Sequence, residues 1–565
     1  MTRIRRILAT LATASLMVGL SACASIPTSG PIEEGRSQPD ESNQGVRYFP
    51  SGPSAGATRE EIVQGFLDAG TGTRDGFQAA REYLTPAAKE DWDPDARVLI
   101  TNGQASMKSA GANGIEVSVP LRGQVDDHGL YSETLSTSNE SLSFTLEQVD
   151  GQWRIAKAPP GVVLQQQPFN DLYAQQMLTY FDNDKRYTSP DLRWLPNGTK
   201  LPTRVVQELI NGPAEWMRPG SAVVSAFPEG VKLRNDVVIA DGVAVVDFSG
   251  ELSSASATDL SLVRLQLEES LLTVPGISSV EIRVNGARID VSLPNRDAVV
   301  TTADVSSMPL VQSGNDIGFL NNSAVSVPNG AEHVSEVVNE LKPIRGALSA
   351  SRQTLTLLNA NGAHAMRFTD DEPVLIDARP GQIEPALDNW DWVWTQSTVE
   401  TGLYVSHIGD GELREIPLPP QIDPAFISHQ VSRDGTRLAV LYNDDEGVQL
   451  AVMPIIRDKG APVELGAPLI VAMPGANDKA SDLAWIDPNS VGMLVNKQDG
   501  STSVRVYQVG GELTSMGTIP SAAQIAGANS LSGMRIVDRH GTVYAPRGSR
   551  WQASETSITF LYAQV

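Results

Sequence analysis

The sequence predicts a multi-domain protein: an α+β N-terminal domain, an α/β middle domain and, at the C-terminus, an all-β propeller of about six blades. Three observations carry that prediction. With 565 residues the chain is too long for one hydrophobic core and suggests about three domains of about 100–200 residues each. Between Thr58 and Pro294, helical apolar spacing gives way to alternating strands joined at Asp-Gly and Asn-Gly turns. From Met308 onward, short strands recur at roughly 40–55 residues, the spacing of propeller blades, with hardly any amphipathic helix.

The chain opens with Arg3, Arg5 and Arg6, an apolar run from Ile7 to Leu20, and Leu20-Ser21-Ala22-Cys23. A charged start, a short apolar core and small residues at a cut form the tripartite pattern of a secretory leader. The run is shorter than the roughly 20 residues that span a bilayer. Cys23, the only cysteine in the sequence, stands where the lipobox of bacterial lipoproteins has its cysteine, and the segment resembles that motif. The resemblance implies cleavage after Ala22, an S-diacylglycerol group on Cys23 and acylation of its new amino group. Each acyl chain contributes about 0.8 kcal/mol per buried methylene, so two chains anchor stably where one is marginal. The expected location is the extracytoplasmic face of the cell membrane, held by lipid.

Composition narrows the function classes. The formal charge is −24, and removing a leader with three arginines and no acid takes it to −27. Such a chain is not built to hold nucleic acid or to adhere electrostatically to anionic lipid. A single cysteine excludes an intramolecular disulfide and a zinc-thiolate site, and no cofactor or metal is expected.

The leader occupies 1–22, and 23–57, rich in Ser, Pro, Gly and acid, reads as a flexible tether. Its Gly52-Pro53-Ser54-Ala55-Gly56 matches the nucleophile-elbow pattern but lacks the strand before and helix after that the elbow needs. Residues 58–165 form the first domain. Thr58-Arg59-Glu60-Glu61 is a capping box ahead of Ile62, Val63, Phe66 and Leu67, and a second helix from Phe77 to Leu84 ends at Pro86. Strands are expected at Arg97–Thr101, Ile115–Arg122, Leu142–Val149 and Gln152–Lys157, the last two joined at Asp150-Gly151. Helices followed by a curved antiparallel sheet resemble the cone-like fold of nuclear-transport-factor-like domains, which often host a pocket. Gly70-Thr71-Gly72 followed by Gly76 misses the phosphate fingerprint by one position and follows a helix rather than a strand.

Residues 166–195 read as a helical connector, with a helix over Phe169 to Phe181 that ends at Asp182-Asn183-Asp184. That triplet lacks the spacing of a calcium loop. Residues 196–294 form the middle domain: a helix from Thr203 stopped at Asn211-Gly212-Pro213, a hairpin of Val237–Ile239 and Val243–Phe248, and a long helix carrying Leu260, Val263, Leu267 and Leu271. Strands Val280–Val284 and Arg288–Leu293 then meet at Asn285-Gly286. Leu209 to Pro213, Pro228-Glu229-Gly230, Asp241 to Ser249 and Val284-Asn285-Gly286 resemble the GerMN domain of envelope and spore-germination lipoproteins, taken as a binding or assembly module. Asp247 has no histidine or second carboxylate at a defined spacing, so catalysis is not read from it.

Residues 308–565 form the propeller. Segments beginning at Gly314, Arg352, Asp391, Asp434, Asn489 and Gly541 read as one repeated turn-and-strand element. Ser432 to Ala439 is similar to the turn and strand of TolB-type propellers.

Leader, tether, cone-like domain, GerMN domain and propeller in this order resemble the actinobacterial LpqB lipoproteins. Trp153-Arg154-Ile155, Pro159 to Leu164 and Asp191-Leu192-Arg193-Trp194-Leu195-Pro196 support the likeness, which covers nearly the whole mature chain. The resemblance implies a non-enzymatic accessory of the MtrA–MtrB two-component system. It would touch the extracytoplasmic domain of an MtrB-like sensor histidine kinase and influence cell-wall homeostasis and division. It assigns no catalytic, cofactor-binding or metal residue, only the lipidated Cys23. Partner-facing loops are expected at Asn389, Trp390 and Asp391 and at Asn443 to Glu446, although alternation would bury one face of Trp390, Trp392 and Trp394. The alternative is an envelope hydrolase or a ligand-binding propeller. The six histidines (His128, His333, His364, His407, His429, His540) show no metal-ligand pair, and His429 is the best single candidate. A propeller can still converge distant residues on its central channel.

Overall fold

The computed structural model describes residues 48–565 apart from 74–75, 135–138, 296–297, 302–303, 307, 322–323, 328–331, 446, 473–477, 549 and 565. The leader, Cys23, most of the tether and Glu446 lie outside the described residues. Among those described, no helix is long and apolar enough to cross a membrane.

The first domain begins with helix Arg59–Asp68. The Thr58 hydroxyl accepts from the Glu61 amide while the Glu61 carboxylate accepts from the Thr58 amide, which satisfies two orphan donors at once. The helix buries Ile62, Val63 and Phe66, and the Phe66 ring meets Trp92 and Phe144 edge-on at 5.0 and 5.9 Å. Pro86 does more than end the helix before it. It opens a further helix, Pro86–Asp91, capped by Thr85, where a missing N–H is no loss. The sheet runs Gln152–Lys157, Asn139–Val149, Gly114–Asp126, Arg97–Thr101, Val162–Gln165, with only the last pairing parallel. Asp150 and Gly151 adopt φ of 52° and 74°, the left-handed pair a two-residue hairpin turn requires.

The segment 166–195 is not a helical connector. Helix Gln166–Leu172 stops where the chain turns extended at Tyr173, and Tyr173–Asp182 pairs as a strand with Thr188–Pro196. Apolar positions 172, 173, 177, 180 and 181 fit a helical face as well as a strand. Pairing with the second strand decides, because it buries Leu178, Tyr180 and Phe181 in the core of the middle domain. That domain adds helices Leu201–Asn211 and Ala257–Leu271 and a sheet of Val238–Ala240, Val243–Phe248, Ser279–Val284 and Ala287–Arg288, in that order. Gly212 takes φ 92° at the helix stop, and Asp241 and Gly242 take 51° and 79° in the hairpin. The last strand covers only Ala287–Arg288 instead of reaching Leu293.

The C-terminal region forms six sheets among the described residues. Their first strands in chain order are Leu310–Ser313, Arg345–Leu348, Ala386–Leu387, Phe426–Val431, Lys479–Asp487 and Ala522–Ala526. Phe560–Leu561 pairs antiparallel with Leu310–Ser313, and Ala563–Gln564 pairs parallel with Arg345–Leu348. The last strands of the chain therefore complete the first two blades and close the ring. Five of the six repeat elements lead into the second strand of their blade. The sixth, at Gly541, leads into Thr542–Arg547, the third strand of its blade, because Arg535–Asp538 intervenes. Helix Glu332–Leu341, which strand counting overlooked, buries Val334 and Val338 against Leu355, Leu357 and Phe560.

Candidate functional site

The hairpin of Tyr173–Asp182 and Thr188–Pro196 touches all three domains, and Asp191 to Pro196 lies where they meet. Strand alternation places Asp191, Arg193 and Leu195 on one face and Leu192 and Trp194 on the other. Arg193 is 1% exposed and grips Asp191 with two hydrogen bonds of 2.7 and 3.0 Å. A third, of 2.8 Å, goes to the His128 carbonyl of the first domain. Asp191 also accepts from the Ala214 amide at 2.8 Å, so each charge of this buried pair is hydrogen-bonded. Glu208, on helix Leu201–Asn211, lies 3.7 Å from Arg193 and 3.1 Å from His128 Nδ1. Burial raises its carboxyl despite both attractions.

Trp194 ties the other face. Its ring packs on Phe169 and Tyr131 at 4.9 and 5.7 Å, its amide donates to Gly129, and its indole donates to the propeller carbonyl of Gly510 at 3.2 Å. Nearby, Glu133 of the first domain accepts from the Leu513 amide of the propeller at 2.8 Å. Farther along the hairpin, Tyr187 meets the Trp390 ring edge-on at 5.2 Å, and Ser189 and Thr436 share a 3.0 Å hydroxyl contact. Arg457 lies over the Trp390 ring at 4.2 Å and pairs with Asp388 at 2.8 Å.

Several residues singled out from the sequence are thereby given structural work. Trp390 is half-buried against Tyr187 and Arg457, Asn389 donates to the Arg433 carbonyl, and Asp391 pairs with Arg367. Trp390 thus meets the chain's own middle domain, while Asn389 and Asp391 bond within the propeller. Trp392 and Trp394 are buried, and Asn443 and Asp444 end a strand at a turn. His429 is a buried blade histidine whose Nε2 meets the Trp394 carbonyl at 3.2 Å, and burial pushes its imidazole down to about 4. Asp247 accepts from Arg234 and from the Gly286 amide. Asp182 accepts from the amides of Asp184, Arg186 and Tyr187, which fixes the turn. Ser54 lies in coil.

Sequence spacing gave no sign of a second constellation, on the propeller axis. Arg345 from the second blade stands 3.5 Å from Glu384 at the start of the third. Asp482 from the fifth acts on Glu384 and accepts from Ser428 and from the Ile525 amide. Burial first, and mutual repulsion for Glu384, hold these carboxyls above the ordinary range, while Arg345 opposes the shift. Two carboxyls beside a guanidinium can exchange a proton or hold a polar cationic group. No cluster of three or more potential metal ligands occurs among the described residues. The first domain has its own shallow apolar cleft, lined by Phe66, Trp92, Phe144 and Val162.

Known proteins match this arrangement in the same order. The family model "Lipoprotein LpqB, N-terminal domain" matches residues 52–170, "Sporulation and spore germination" matches 178–290, and "Lipoprotein LpqB beta-propeller domain" matches 324–559. Lipoprotein LpqB of Thermobifida fusca is 25% identical over 587 residues, covering 91% of this chain and 92% of that protein. Lipoprotein LpqB of Streptomyces coelicolor is 25% identical over 553 residues, covering 90% and 89%. The tandem GerMN domains of the sporulation protein GerM from Bacillus subtilis are 26% identical over 22% of this chain and 45% of that one, with a TM-score of 0.18. With both terminal domains matched by LpqB models and the middle domain between them, the chain belongs to the LpqB lipoprotein family.

Proposed function

We propose that this protein is a non-enzymatic lipoprotein, anchored through acylated Cys23 to the extracytoplasmic face of the cell membrane, that binds the outer domain of an MtrB-like sensor histidine kinase and modulates its signalling. The observation that carries the reading is the junction. Arg193, Trp194 and Trp390 join three domains, so loops far apart in sequence are presented as one surface of fixed shape. A pre-organised surface loses less entropy on binding, which suits a recognition module. Relatives named as lipoproteins, and the lipobox-like segment ending at Cys23, support the anchor.

Photo-crosslinking in membranes of cells expressing the full chain tests the reading. The expected product contains a kinase outer domain, and Cys23→Ser should lose both it and membrane fractionation. Recovery of no kinase from the wild-type chain would sink the partner assignment. Unchanged fractionation of Cys23→Ser would sink the anchor.

A further inference from the structure

Between the middle domain and the propeller lies a cleft of about 220 Å³, open to solvent. Arg433 and Asp434 line its buried side, Thr179 and Thr188 line its wall, and the exposed Glu269 and Thr273 stand at its rim. Interdomain clefts with a few convergent polar groups are where small-molecule sites concentrate.

Arg433 is the unusual member. It is 2% exposed, yet among the described residues no carboxylate lies within ion-pair distance of its guanidinium. Its Nη atoms donate to neutral oxygens: the Asn529 side chain and the carbonyls of Trp485 and Ile486. Among the described residues its Nε has no hydrogen-bond partner. Asp487 and Asp304 act on it only from a distance, and burial pushes the guanidinium down to about 10. Buried cations are ordinarily matched by an anion. Asp434 does not supply one, because it is taken by Arg437 at 3.0 Å and by the Ser432 hydroxyl.

We propose that this cleft binds a small hydroxylated organic anion, of the sugar-acid or sugar-phosphate class. The anionic group would sit against Arg433, and the hydroxyls would meet Glu269 and the threonine oxygens. Hydroxyl donors suit an exposed carboxylate, and guanidinium donors suit an oxyanion.

Isothermal titration of the purified full-length chain tests this with four probes: glucose 6-phosphate, glucuronate, glucose and inorganic phosphate. Glucose 6-phosphate or glucuronate should bind, the tighter one identifying the anionic group, and glucose should bind at least ten-fold more weakly. Arg433→Gln should abolish the preference for the charged sugars. Should that variant not fold, Glu269→Gln at the exposed rim should weaken the sugar anions several-fold and leave phosphate unchanged. Binding of glucose as tight as that of the charged sugars, no heat with either sugar anion, or equal affinities in wild type and both variants would overturn the proposal.

Discussion

His429 is held by one hydrogen bond to a carbonyl, with its Nδ1 unpartnered, so the fold accepts only the neutral ring. Its folded value of about 4 lies below the ordinary 6.5. The stabilisation from staying neutral is complete above 6.5 and is lost as pH falls toward 4, an effect of up to about 3 kcal/mol. Glu384 and Asp482 pull the other way. Their raised carboxyls favour the protonated form, so they subtract stability as pH rises out of the ordinary carboxylate range. The isolating measurement is the urea midpoint of wild type against His429→Gln at pH 7.5 and 4.5. The wild type should lose its lead at the lower pH; parallel shifts would remove His429 as the source.

At the scale of elements, the hairpin of Tyr173–Asp182 and Thr188–Pro196 carries a buried ion pair where the domains meet. Arg193→Met would strand Asp191, leave the His128 carbonyl without its donor and uncouple two domains. The expected destabilisation is about 3–5 kcal/mol in denaturant unfolding, while Asp191→Leu combined with Arg193→Met should lose markedly less. Equal losses in the single and double variants would mean that the pair is not what holds the junction. Local turn chemistry explains why much of the fold was legible in the sequence: Asp150-Gly151, Asp241-Gly242 and Asn211-Gly212 specify their conformations without distant help. The hairpin was not legible, because its apolar spacing fits helix and strand equally and only a partner strand chooses between them. The axial Arg345, Glu384 and Asp482 were hidden for a related reason, since three separate blades bring them together. Arg433 was visible only as part of a turn motif, because its burial without a counter-ion among the described residues is a fact of packing.

At the scale of the whole molecule, six blades depend on residues 560–564. Phe560, Leu561 and Tyr562 are each at most 2% exposed, and burial of such side chains contributes about 1.5–3 kcal/mol apiece. Truncation after Ile558 should expose two unpaired strand edges together with that apolar surface. The expected result is loss of the cooperative unfolding transition and association on size-exclusion chromatography. A monomeric, cooperatively unfolding truncation would show that the ring does not need its clasp.

That clasp also sets an order of events in time. Tyr562 reaches back to Gln312 across 250 residues, and its amide bonds the Leu310 carbonyl. Closing a chain loop of that size opposes the contact by about 5 kcal/mol of entropy, and contacts so remote in sequence form slowly. A chain delivered amino-terminus first completes its two smaller domains well before this seam can join. During that interval the first blade waits with an open inner edge, a window in which a chaperone or another nascent chain competes for the place of the final strand.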